Sequence, residues 1–432
     1  MNVLHTVPLK GYIGMKIDPS NGLECFDTPG YMATPMFMLA NPGDHIIRHD
    51  EHYHISIVMY TPEINPSWLY TYVYAPDQSW TTYQSIIYYT NQNNYYFTNT
   101  IYFRLTIQKN DLSPFNTDED INNILSFYVQ EQPIAKIKPW ILKEANRVTK
   151  NILSLRKQDC LAFALMTDTH YTVNGTWQDS LASIKQMHKE IKMDGIIHLG
   201  DISDGMVTKD ATRLYTQKVI SDLNTCNVPL YTTIGNHDTN YFRNNPQPFT
   251  EDELCQLFGH DIRYYIDLPQ LRLVFIDSFN PNESLRYGYS DDCIQWLEKT
   301  LNACNPEQKV IIFSHLPPVT RLQFWAKKVR GEDELMDLLI KHNILAWVNG
   351  HNHADHLDNK SGFPIISIAN GKCECFFERK PEGFISPGRR LGDASQELWD
   401  ILLINTKDEA VHFIRFGAGK DRVIKDGSVS WL

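Results

Sequence analysis

Hydrophobic and polar positions follow two different patterns along the chain, and the pattern changes near residue 160. Before about residue 130, short runs rich in Tyr, Thr, Ile and Val are separated by clusters of Pro, Asn, Asp and Gly, as in HYHISIVMY, SWLYTYVYA, YQSIIYYT, NYYFTNTIYF and FRLTIQK. Such runs are typical of the short strands of a β-sandwich. We therefore predict an all-β, sandwich-like N-terminal domain over residues 1–135.

A linking helix is predicted over residues 136–158, between the two patterns. Apolar residues recur there at the spacing of one helical face: Ile141, Ala145, Val148 and Ile152. A shorter helix is predicted to begin at Thr117, because the acidic residues that follow it are typical of a first helical turn. We expect the linking helix to pack on the C-terminal domain.

The C-terminal pattern, over residues 159–432, alternates apolar runs with amphipathic segments. Strands are predicted at CLAFALMT, GIIHLG, PLYTTIG, RLVFIDS, VIIFSH and ILAWVNG, followed by PIISIAN, ELWDILLIN and AVHFIRFG. Helices are predicted at 177–193, 209–225, 290–303 and 332–342. Alternation of this kind predicts an α/β domain of layered sheets with outer helices.

Length and charge narrow the class of protein. A chain of 432 residues is too long for one ordinary hydrophobic core, so two domains are expected. The net charge of -11 argues against a nucleic-acid surface, because phosphate binding needs a basic surface. No stretch approaches the roughly 20 apolar residues of a membrane helix, and the sequence shows no apolar signal core. A cytoplasmic protein is therefore expected, with association with a phage particle as the alternative.

Residues of the types that bind metals follow the predicted strands of the C-terminal domain. They lie in short polar segments directly after apolar runs: Asp168, His170, Asp201, Asn236, His315, His351 and His353. Strands of a layered α/β fold deliver the residues at their ends to a common edge, where binding sites form. Imidazole nitrogens combined with carboxylate and amide oxygens suit Mn, Fe, Zn, Co or Ni, and suit calcium poorly. We therefore predict a site for two divalent transition-metal ions.

Phosphate chemistry is expected from the charge of this residue set. Two carboxylates against two divalent cations leave about two positive charges, which favour an anionic phosphate. Asp201 is expected to bridge the cations, because a carboxylate has two oxygens. His237 is adjacent to a predicted ligand and is expected to protonate the leaving oxygen. Asp238 is expected to orient His237, as in a carboxylate–imidazole pair.

Five segments resemble the signature of a known family. DTH, GDISD, GNHD, SHLP and GHNH, within residues 160–416, are similar in order and spacing to the five blocks of the calcineurin-like metallophosphoesterases. The resemblance implies a four-layer αββα sandwich and hydrolysis of phosphoester bonds by a hydroxide that bridges the metals. It also implies two ligand sets that share Asp201: Asp168, His170, Asp201 and His353 for one metal, and Asp201, Asn236, His315 and His351 for the other.

The expected substrate is a phosphorylated small molecule or polymer, with a phosphodiester preferred over a monoester. GDISDG lacks the Arg-Gly pair of protein Ser/Thr phosphatases and the tyrosine of purple acid phosphatases. The GNHD block instead resembles the branch of cyclic-nucleotide and glycerophospho-type phosphodiesterases.

The N-terminal domain leaves an alternative from another class of function. Of the 22 tyrosines, 13 precede residue 103, and the composition resembles N-terminal modules of phage tail-associated proteins. If such a domain docks on a glycan or a particle, the protein is a phage- or surface-associated binding protein, and phosphoesterase activity is secondary. Alternating tyrosines are, however, more often a sign of strand packing.

Overall fold

The computed structural model describes most of the chain, in two compact units. The described residues are 4–7, 9, 11–18, 24–25, 27–34, 38–60, 83–89, 93–98, 101–130, 137–157, 159–171, 176–203, 205, 209–241, 248–324, 327–371, 383–390, 392–405 and 410–432. The units are Met1–Lys136 and Ile137–Leu432. Within those ranges, no helix combines the length and the apolar composition needed to cross a membrane.

The N-terminal unit consists of antiparallel strands and one helical turn. The strands are β1 (Leu4–Val7), β2 (Tyr12–Ile13), β3 (Lys16–Ile17), β4 (Glu24–Cys25), β5 (Tyr31–Ala33), β6 (Met38–Ala40), β7 (His45–Arg48), β8 (Tyr53–Tyr60), β9 (Tyr83–Tyr89), β10 (Asn94–Tyr96), β11 (Ile101–Lys109) and β12 (Leu125–Gln130), and the turn is α1 (Ile121–Ile124). One sheet has the order β1-β12-β7-β10, and a second has the order β2-β5-β11-β8-β9 with β6 also on β11, while β3 and β4 pair as a separate two-stranded sheet. Ile46 and Phe127 of the first sheet pack with Phe103 of the second in one buried core. The predicted all-β class of this region is confirmed.

Details of this unit differ from the predictions. NYYFTNTIYF does not form a single strand, because β10 belongs to the four-stranded sheet and β11 to the six-stranded sheet. The predicted helix start at Thr117 is wrong: the helical turn begins after Asp120, whose side chain accepts the N–H of Asn122. The predicted strand SWLYTYVYA lies outside the described residues.

The C-terminal unit contains the remaining strands and helices. Its helices are α2 (Pro139–Leu155), α3 (Trp177–Ile191), α4 (Lys209–Asn224), α5 (Glu251–Phe258), α6 (Asp291–Asn302) and α7 (Glu332–Leu339). Its strands are β13 (Cys160–Met166), β14 (Gly195–His198), β15 (Leu230–Thr232), β16 (Tyr264–Leu268), β17 (Leu271–Phe275), β18 (Lys309–Ser314), β19 (Ile344–Asn349), β20 (His356–Asp358), β21 (Ile365–Ser367), β22 (Leu398–Asn405), β23 (Ala410–Gly417), β24 (Arg422–Lys425) and β25 (Ser428–Trp431). Helix α2 packs against α3 and β23, so it belongs to this unit.

Two sheets and their covering helices form four layers. The seven-stranded sheet has the order β15-β14-β13-β22-β23-β24-β25, and the six-stranded sheet has the order β16-β17-β18-β19-β21-β20. Leu165 and Phe413 of the first sheet pack between the sheets with Phe275 and Val348 of the second. Separate apolar cores lie under the helices on the outer faces. This arrangement confirms the predicted αββα fold class.

Parallel strands of both sheets bring their carboxyl ends to the candidate site. β13 pairs with β14, and β14 with β15, in parallel. In the other sheet, β18 and β19 are parallel neighbours. The candidate residues follow these strands: Asp168 and His170 after β13, Asp201 after β14, Asn236 after β15, His315 after β18, and His351 and His353 after β19. Each sheet therefore contributes part of one site.

Candidate metal centre

The seven candidate ligands lie together and are buried. Their exposed fractions do not exceed the 4% of His351. Backbone hydrogen bonds between the strand-end loops fix their positions. The N–H of Asp168 donates to Gly200 and that of His170 to Asp201, while the N–H of Gly350 donates to His315. The backbones of these loops are therefore connected directly to one another.

Asp168, His170 and His353 form the first group of ligand-type atoms. The Nε2 atoms of His170 and His353 are 3.0 Å apart. Oδ1 of Asp168 lies 3.2 Å from Nε2 of His353 and 3.6 Å from Nε2 of His170. The ligand atoms of this group all lie within 4.8 Å of one another, which is close enough to surround one cation.

Asp201, Asn236, His315 and His351 form the second group. Nε2 of His315 lies 3.1 Å from Oδ2 of Asp201 and 3.1 Å from Oδ1 of Asn236. Nδ1 of His351 is 3.2 Å from the same His315 nitrogen. Nδ1 of His315 faces the carbonyl of Leu199 at 2.9 Å, which directs Nε2 toward the group.

Asp201 joins the two groups through a single oxygen. Oδ2 lies 3.7 Å from Nε2 of His170 and 3.1 Å from Nε2 of His315. Oδ1 instead accepts the backbone N–H of His237 at 2.8 Å. From the sequence, each of the two oxygens of Asp201 is expected to serve one cation. The structure places one oxygen between the groups and uses the other to hold a loop.

Five of the seven candidate ligands have a left-handed backbone conformation. Their φ angles are positive: Asp168 (51°), His170 (43°), Asp201 (52°), His351 (68°) and His353 (53°). This region is uncommon for residues other than glycine, and such conformations collect at functional sites. The backbone thus turns sharply after each strand to aim these side chains at one point.

The strand-end loops pack so closely that glycine is required at two positions beside the candidate carboxylates. A Cβ on Gly235 would lie 2.1 Å from Oδ1 of Asp201. A Cβ on Gly350 would lie 2.0 Å from Oγ1 of Thr167 and 2.5 Å from Oδ2 of Asp168. These glycines therefore let the backbone approach the carboxylates directly.

His237 lies beside both groups. Its ring meets the His170 ring edge to face, with centroids 4.5 Å apart, and its Nε2 is 3.9 Å from Oδ2 of Asp201. It is 6% exposed, the largest exposure among the nine candidate residues. Its nitrogen also lies within 4.8 Å of the Asp201 and His170 ligand atoms.

Asp238 does not have the predicted role. Its carboxylate accepts four backbone N–H groups: those of Asp201 (2.8 Å), Ile202 (2.9 Å), Ser203 (3.3 Å) and Gly235 (2.9 Å). Among the described residues, its carboxylate makes no hydrogen bond to the His237 imidazole. The prediction that Asp238 orients His237 is therefore wrong, because this carboxylate binds the backbone of the Asp201 loop instead. Burial, followed by the charge of Asp201, raises the pKa of Asp238 to about 7.

Burial and neighbouring charges shift other groups of the site. Burial opposes the protonated form of His315, but Asp201 and Asp168 outweigh it and raise the pKa of His315 to about 9. Burial outweighs the charge of Asp168 and lowers the pKa of His198 to about 3, so this ring is neutral. His198 Nε2 pairs with Oγ1 of Thr169 at 2.7 Å, which makes His198 a support of the loop.

The donor set fits divalent transition metals. Oδ2 of Asp168 accepts the Thr167 hydroxyl at 2.6 Å and the His351 N–H at 3.0 Å. Oδ1 of Asp168 is buried and has no hydrogen-bond partner among the described residues. A buried, unpartnered carboxylate oxygen beside imidazole nitrogens is costly unless a cation compensates its charge. Oxygen and nitrogen donors in this mixture suit the transition metals named above.

An aromatic cluster adjoins the site, and sequence reasoning missed it. The Tyr287 ring lies 5.5 Å from the His351 ring, and its hydroxyl is 2.7 Å from that of Tyr241. Phe279 packs on both tyrosines, and the guanidinium of Arg286 lies over Tyr241. No motif marks these residues, because their two loops are distant in sequence and meet only in the fold.

Comparison with known proteins finds a phosphoesterase family model within the C-terminal unit. Residues 161–355 match the family model described as calcineurin-like phosphoesterase. The chain is 33% identical over 167 residues to a probable glycerophosphodiester phosphodiesterase GpdQ of Arcobacter nitrofigilis, covering 38% of this chain and 57% of the relative. It is 26% identical over 206 residues to a manganese-dependent ADP-ribose/CDP-alcohol diphosphatase of Arabidopsis thaliana, covering 37% of this chain and 64% of the relative. The chain thus spans less than two thirds of the length of either relative.

A solved structure is also similar. The crystal structure of a dimetal phosphatase from Danio rerio aligns with a TM-score of 0.47 and 19% identity, covering 61% of this chain and 98% of that chain. Residues 161–355 form a calcineurin-like phosphoesterase domain. The resemblance to the calcineurin-like metallophosphoesterases that the five sequence segments predicted is thus confirmed for this part of the chain.

Proposed function

We propose that this protein hydrolyses phosphoester bonds with two divalent metal ions, and that its preferred substrate is a phosphodiester. The observation that carries the proposal is the position of Oδ2 of Asp201 between two groups of buried ligand atoms. A shared carboxylate oxygen between two such groups is suited to a pair of cations. Paired cations are a recurrent solution for displacement at phosphorus.

Seven residues would hold the metals. Asp168, His170 and His353 with Asp201 would hold one, and Asn236, His315 and His351 with Asp201 would hold the other. When bound, the two cations would supply positive charge that neutralises the phosphate and favours ionisation of an attacking water. The related diphosphatase is named as manganese-dependent, so manganese is the first metal to test.

His237 would donate a proton to the leaving oxygen. Its ring adjoins the His170 and Asp201 groups, and it is the most exposed of the candidate residues. A general acid must reach the oxygen that leaves, and this position satisfies that need better than any fully buried histidine. Its backbone N–H is fixed by Oδ1 of Asp201, which positions the ring beside the site.

A diester substrate is supported by two observations. One relative is named as a glycerophosphodiester phosphodiesterase, and the other as a diphosphatase of ADP-ribose and CDP-alcohols, whose diphosphate carries an organic group at each end. The aromatic cluster around Tyr287 and Tyr241 provides apolar surface beside His351, where the organic group of a diester could pack. A monoester has no second organic group that would use this surface.

Turnover of chromogenic esters tests the proposal. Protein stripped with a chelator is supplied with Mn, Zn, Co or Ni and assayed with bis(p-nitrophenyl) phosphate and p-nitrophenyl phosphate. We expect metal-dependent turnover, faster with the diester. Asp168→Asn should abolish it, whereas Asp333→Asn, at an exposed position on α7, should not. Failure of all four metals to restore turnover with either ester would reject the proposed function.

The N-terminal unit is proposed as an attachment module for a glycan or a particle. Its tyrosine content supports this role, and Tyr96 is 56% exposed on β10. Tyr96, His45 and Tyr128 stack on neighbouring strands, however, so these rings also serve the packing of the sheet. Binding of the full chain to a glycan array, with Tyr96→Ala for comparison, tests the module. The cytoplasmic location and the association with a phage particle stay predictions.

A further inference from the structure

Four charged side chains are buried at one end of the core between the two sheets of the C-terminal unit. They are Asp355, Asp400, Arg415 and Arg422, and none is more than 1% exposed. We call them the ion quartet. Asp400 and Arg415 are directly opposite each other on β22 and β23. Along the same strands, the inward-facing neighbours Leu402 and Phe413 belong to the apolar core, so the quartet interrupts an otherwise hydrophobic layer.

The quartet is closely hydrogen-bonded. Arg415 donates from Nη1 and Nη2 to Asp355, at 3.1 and 2.9 Å, and from Nε to Asp400 at 2.8 Å. Arg422 donates to Asp355 at 3.0 Å and also forms an ion pair with Asp400. Each carboxylate thus contacts both guanidinium groups. Two positive and two negative charges cancel, so the quartet carries no net charge into the core.

The quartet joins the two sheets beside the loop that carries His351 and His353. Asp400, Arg415 and Arg422 lie on adjacent strands of the seven-stranded sheet. Asp355 lies in the loop between β19 and β20 of the six-stranded sheet, two residues after the candidate ligand His353. Of the other candidate ligands, Asp168, His170, Asp201 and Asn236 follow strands of the seven-stranded sheet. His315 follows β18, on the same sheet as the histidine loop. The quartet therefore connects the two halves of the ligand set.

Stability alone is a poor explanation for these charges. Replacing a buried ion network by well-packed apolar residues is often neutral or stabilising, whereas removing one partner is costly. An apolar layer already continues along these strands. Apolar packing does not fix how two sheets are aligned with each other. A network of hydrogen bonds with fixed partners does fix this alignment.

We propose that the ion quartet positions the loop that carries His351 and His353 against the ligands of the other sheet. Asp355 is the attachment point of that loop, because its Oδ1 also accepts the N–H of Ala369 and its backbone pairs with Ile385. The members of the quartet are positioning residues that act through the two histidines. The inference rests on the proposed dimetal function.

The quartet itself is not arranged as another metal site. Both carboxylates already accept several N–H groups, and the guanidinium groups occupy the space between them. Among the residues that the structure describes, the groups able to hold a cation are those of the candidate centre. The charges therefore serve loop placement.

The test compares Asp400→Asn with a control that breaks a distant ion pair. Asp400 is one of the three quartet members on the seven-stranded sheet, so the variant alters no residue of the histidine loop. Arg272→Met is the control. Arg272 is 5% exposed, pairs with Asp267 at 2.7 Å and lies near the start of β17, whereas the candidate centre gathers at the carboxyl ends of the parallel strands.

Three readouts on the full chain separate positioning from general stability. They are calorimetric binding of Mn, the exchange-coupled Mn–Mn electron paramagnetic resonance signal, and hydrogen exchange of residues 350–356. We expect Asp400→Asn to weaken the binding of the second Mn ion about 10- to 100-fold, as the loss of a residue that supports a metal ligand does in other metal sites. We also expect it to diminish the coupled signal and to speed exchange in this loop. Arg272→Met should lower the melting temperature and leave all three readouts unchanged.

A conservative variant keeps the result interpretable if Asp400→Asn folds poorly. Arg415→Lys retains the charge but not the two-pronged contact, and it should give an intermediate loss of the coupled signal. If both quartet variants match Arg272→Met in all three readouts, the inference is overturned. Wild-type protein that binds no Mn pair and turns over neither ester would reject the proposed function as well. Wild-type binding with unaffected quartet variants would reject the positioning role alone.

Discussion

The carboxylate of Asp201 holds His237 by its backbone, since Oδ1 accepts the His237 N–H at 2.8 Å while Oδ2 faces both ligand groups. One side chain thus fixes the spacing between the metal centre and the proposed acid. A displacement of Asp201 should disturb both at once.

Gly235→Ala tests this coupling, because the added Cβ would lie 2.1 Å from Oδ1 of Asp201. We expect Asp201 to move, Mn affinity to fall and kcat to drop by at least about tenfold, the lower end of losses from disturbed ligand support. Calorimetry with Mn and steady-state kinetics measure the two effects. Gly388→Ala is the matched control, since a Cβ there meets nothing within 4 Å. Equal behaviour of the two variants would contradict the coupling.

His237→Ala should separate chemistry from metal binding. We expect kcat to fall by roughly 100- to 10,000-fold, the usual contribution of general acid catalysis, with two metals still bound. Metal analysis of the purified variant and turnover of a diester check the two parts. The variant should lose less activity on a substrate whose leaving group needs no protonation, such as p-nitrophenolate, than on a substrate with an alkyl leaving group. Loss of one metal from the variant would instead make His237 a ligand.

Asp238→Asn should destabilise the protein, because four N–H groups converge on its carboxylate. The amide offers one accepting oxygen, and its NH2 group would face N–H donors. We expect a loss on the order of 3 kcal/mol in the free energy of unfolding, from buried donors left without acceptors. Urea denaturation measures this loss. Asp333→Asn, at an exposed site, should stay within about 0.5 kcal/mol of the wild type.

Glu397→Gln should stabilise the protein above neutral pH. Glu397 is fully buried, and burial raises its pKa from 4.5 to about 7. Because the folded state binds the proton more tightly than the unfolded state, stability falls as the pH rises from about 4.5 to about 7. At about 1.4 kcal/mol per pKa unit, the variant should gain up to about 3 kcal/mol at pH 8.

Denaturation of this variant at pH 4 and pH 8 measures the effect. The gain should be present at pH 8 and absent at pH 4, where Glu397 is neutral in both states. Glu298→Gln is the control, because its side chain is exposed on α6. An equal gain at both pH values would show that the amide improves packing and that ionisation plays no part.

The layered fold could be predicted because its strands and helices have distinct periodicities. CLAFALMT and VIIFSH became β13 and β18, and the predicted helix 177–193 became α3. Helix α5 was missed, although Thr250 and Glu253 form a capping box that the sequence displays as TEDE. The hairpin of β24 and β25 was missed as well, although Asp426 and Gly427 form a typical turn between them.

The candidate ligands could be predicted because each follows an apolar strand, and parallel strands end at one edge. The residues that hold the candidate ligands in place could not be predicted in the same way. Asp238 is adjacent to His237 in sequence, yet its carboxylate points to the Asp201 loop, which only the folded backbone determines. Asp400 and Arg415 are single charges within apolar runs, and their pairing depends on the register of β22 and β23.

The left-handed turns at five candidate ligands also set which substitutions the fold can accept. Asn and Gly adopt such a conformation at low cost, whereas β-branched residues do so only under strain. At Asp168 or His353, a change to Asn should therefore silence the centre and spare the fold, but a change to Val should damage both. A library selected only for folding would show these positions drifting toward Asn and Gly, so inactive descendants of this chain should carry those residues there.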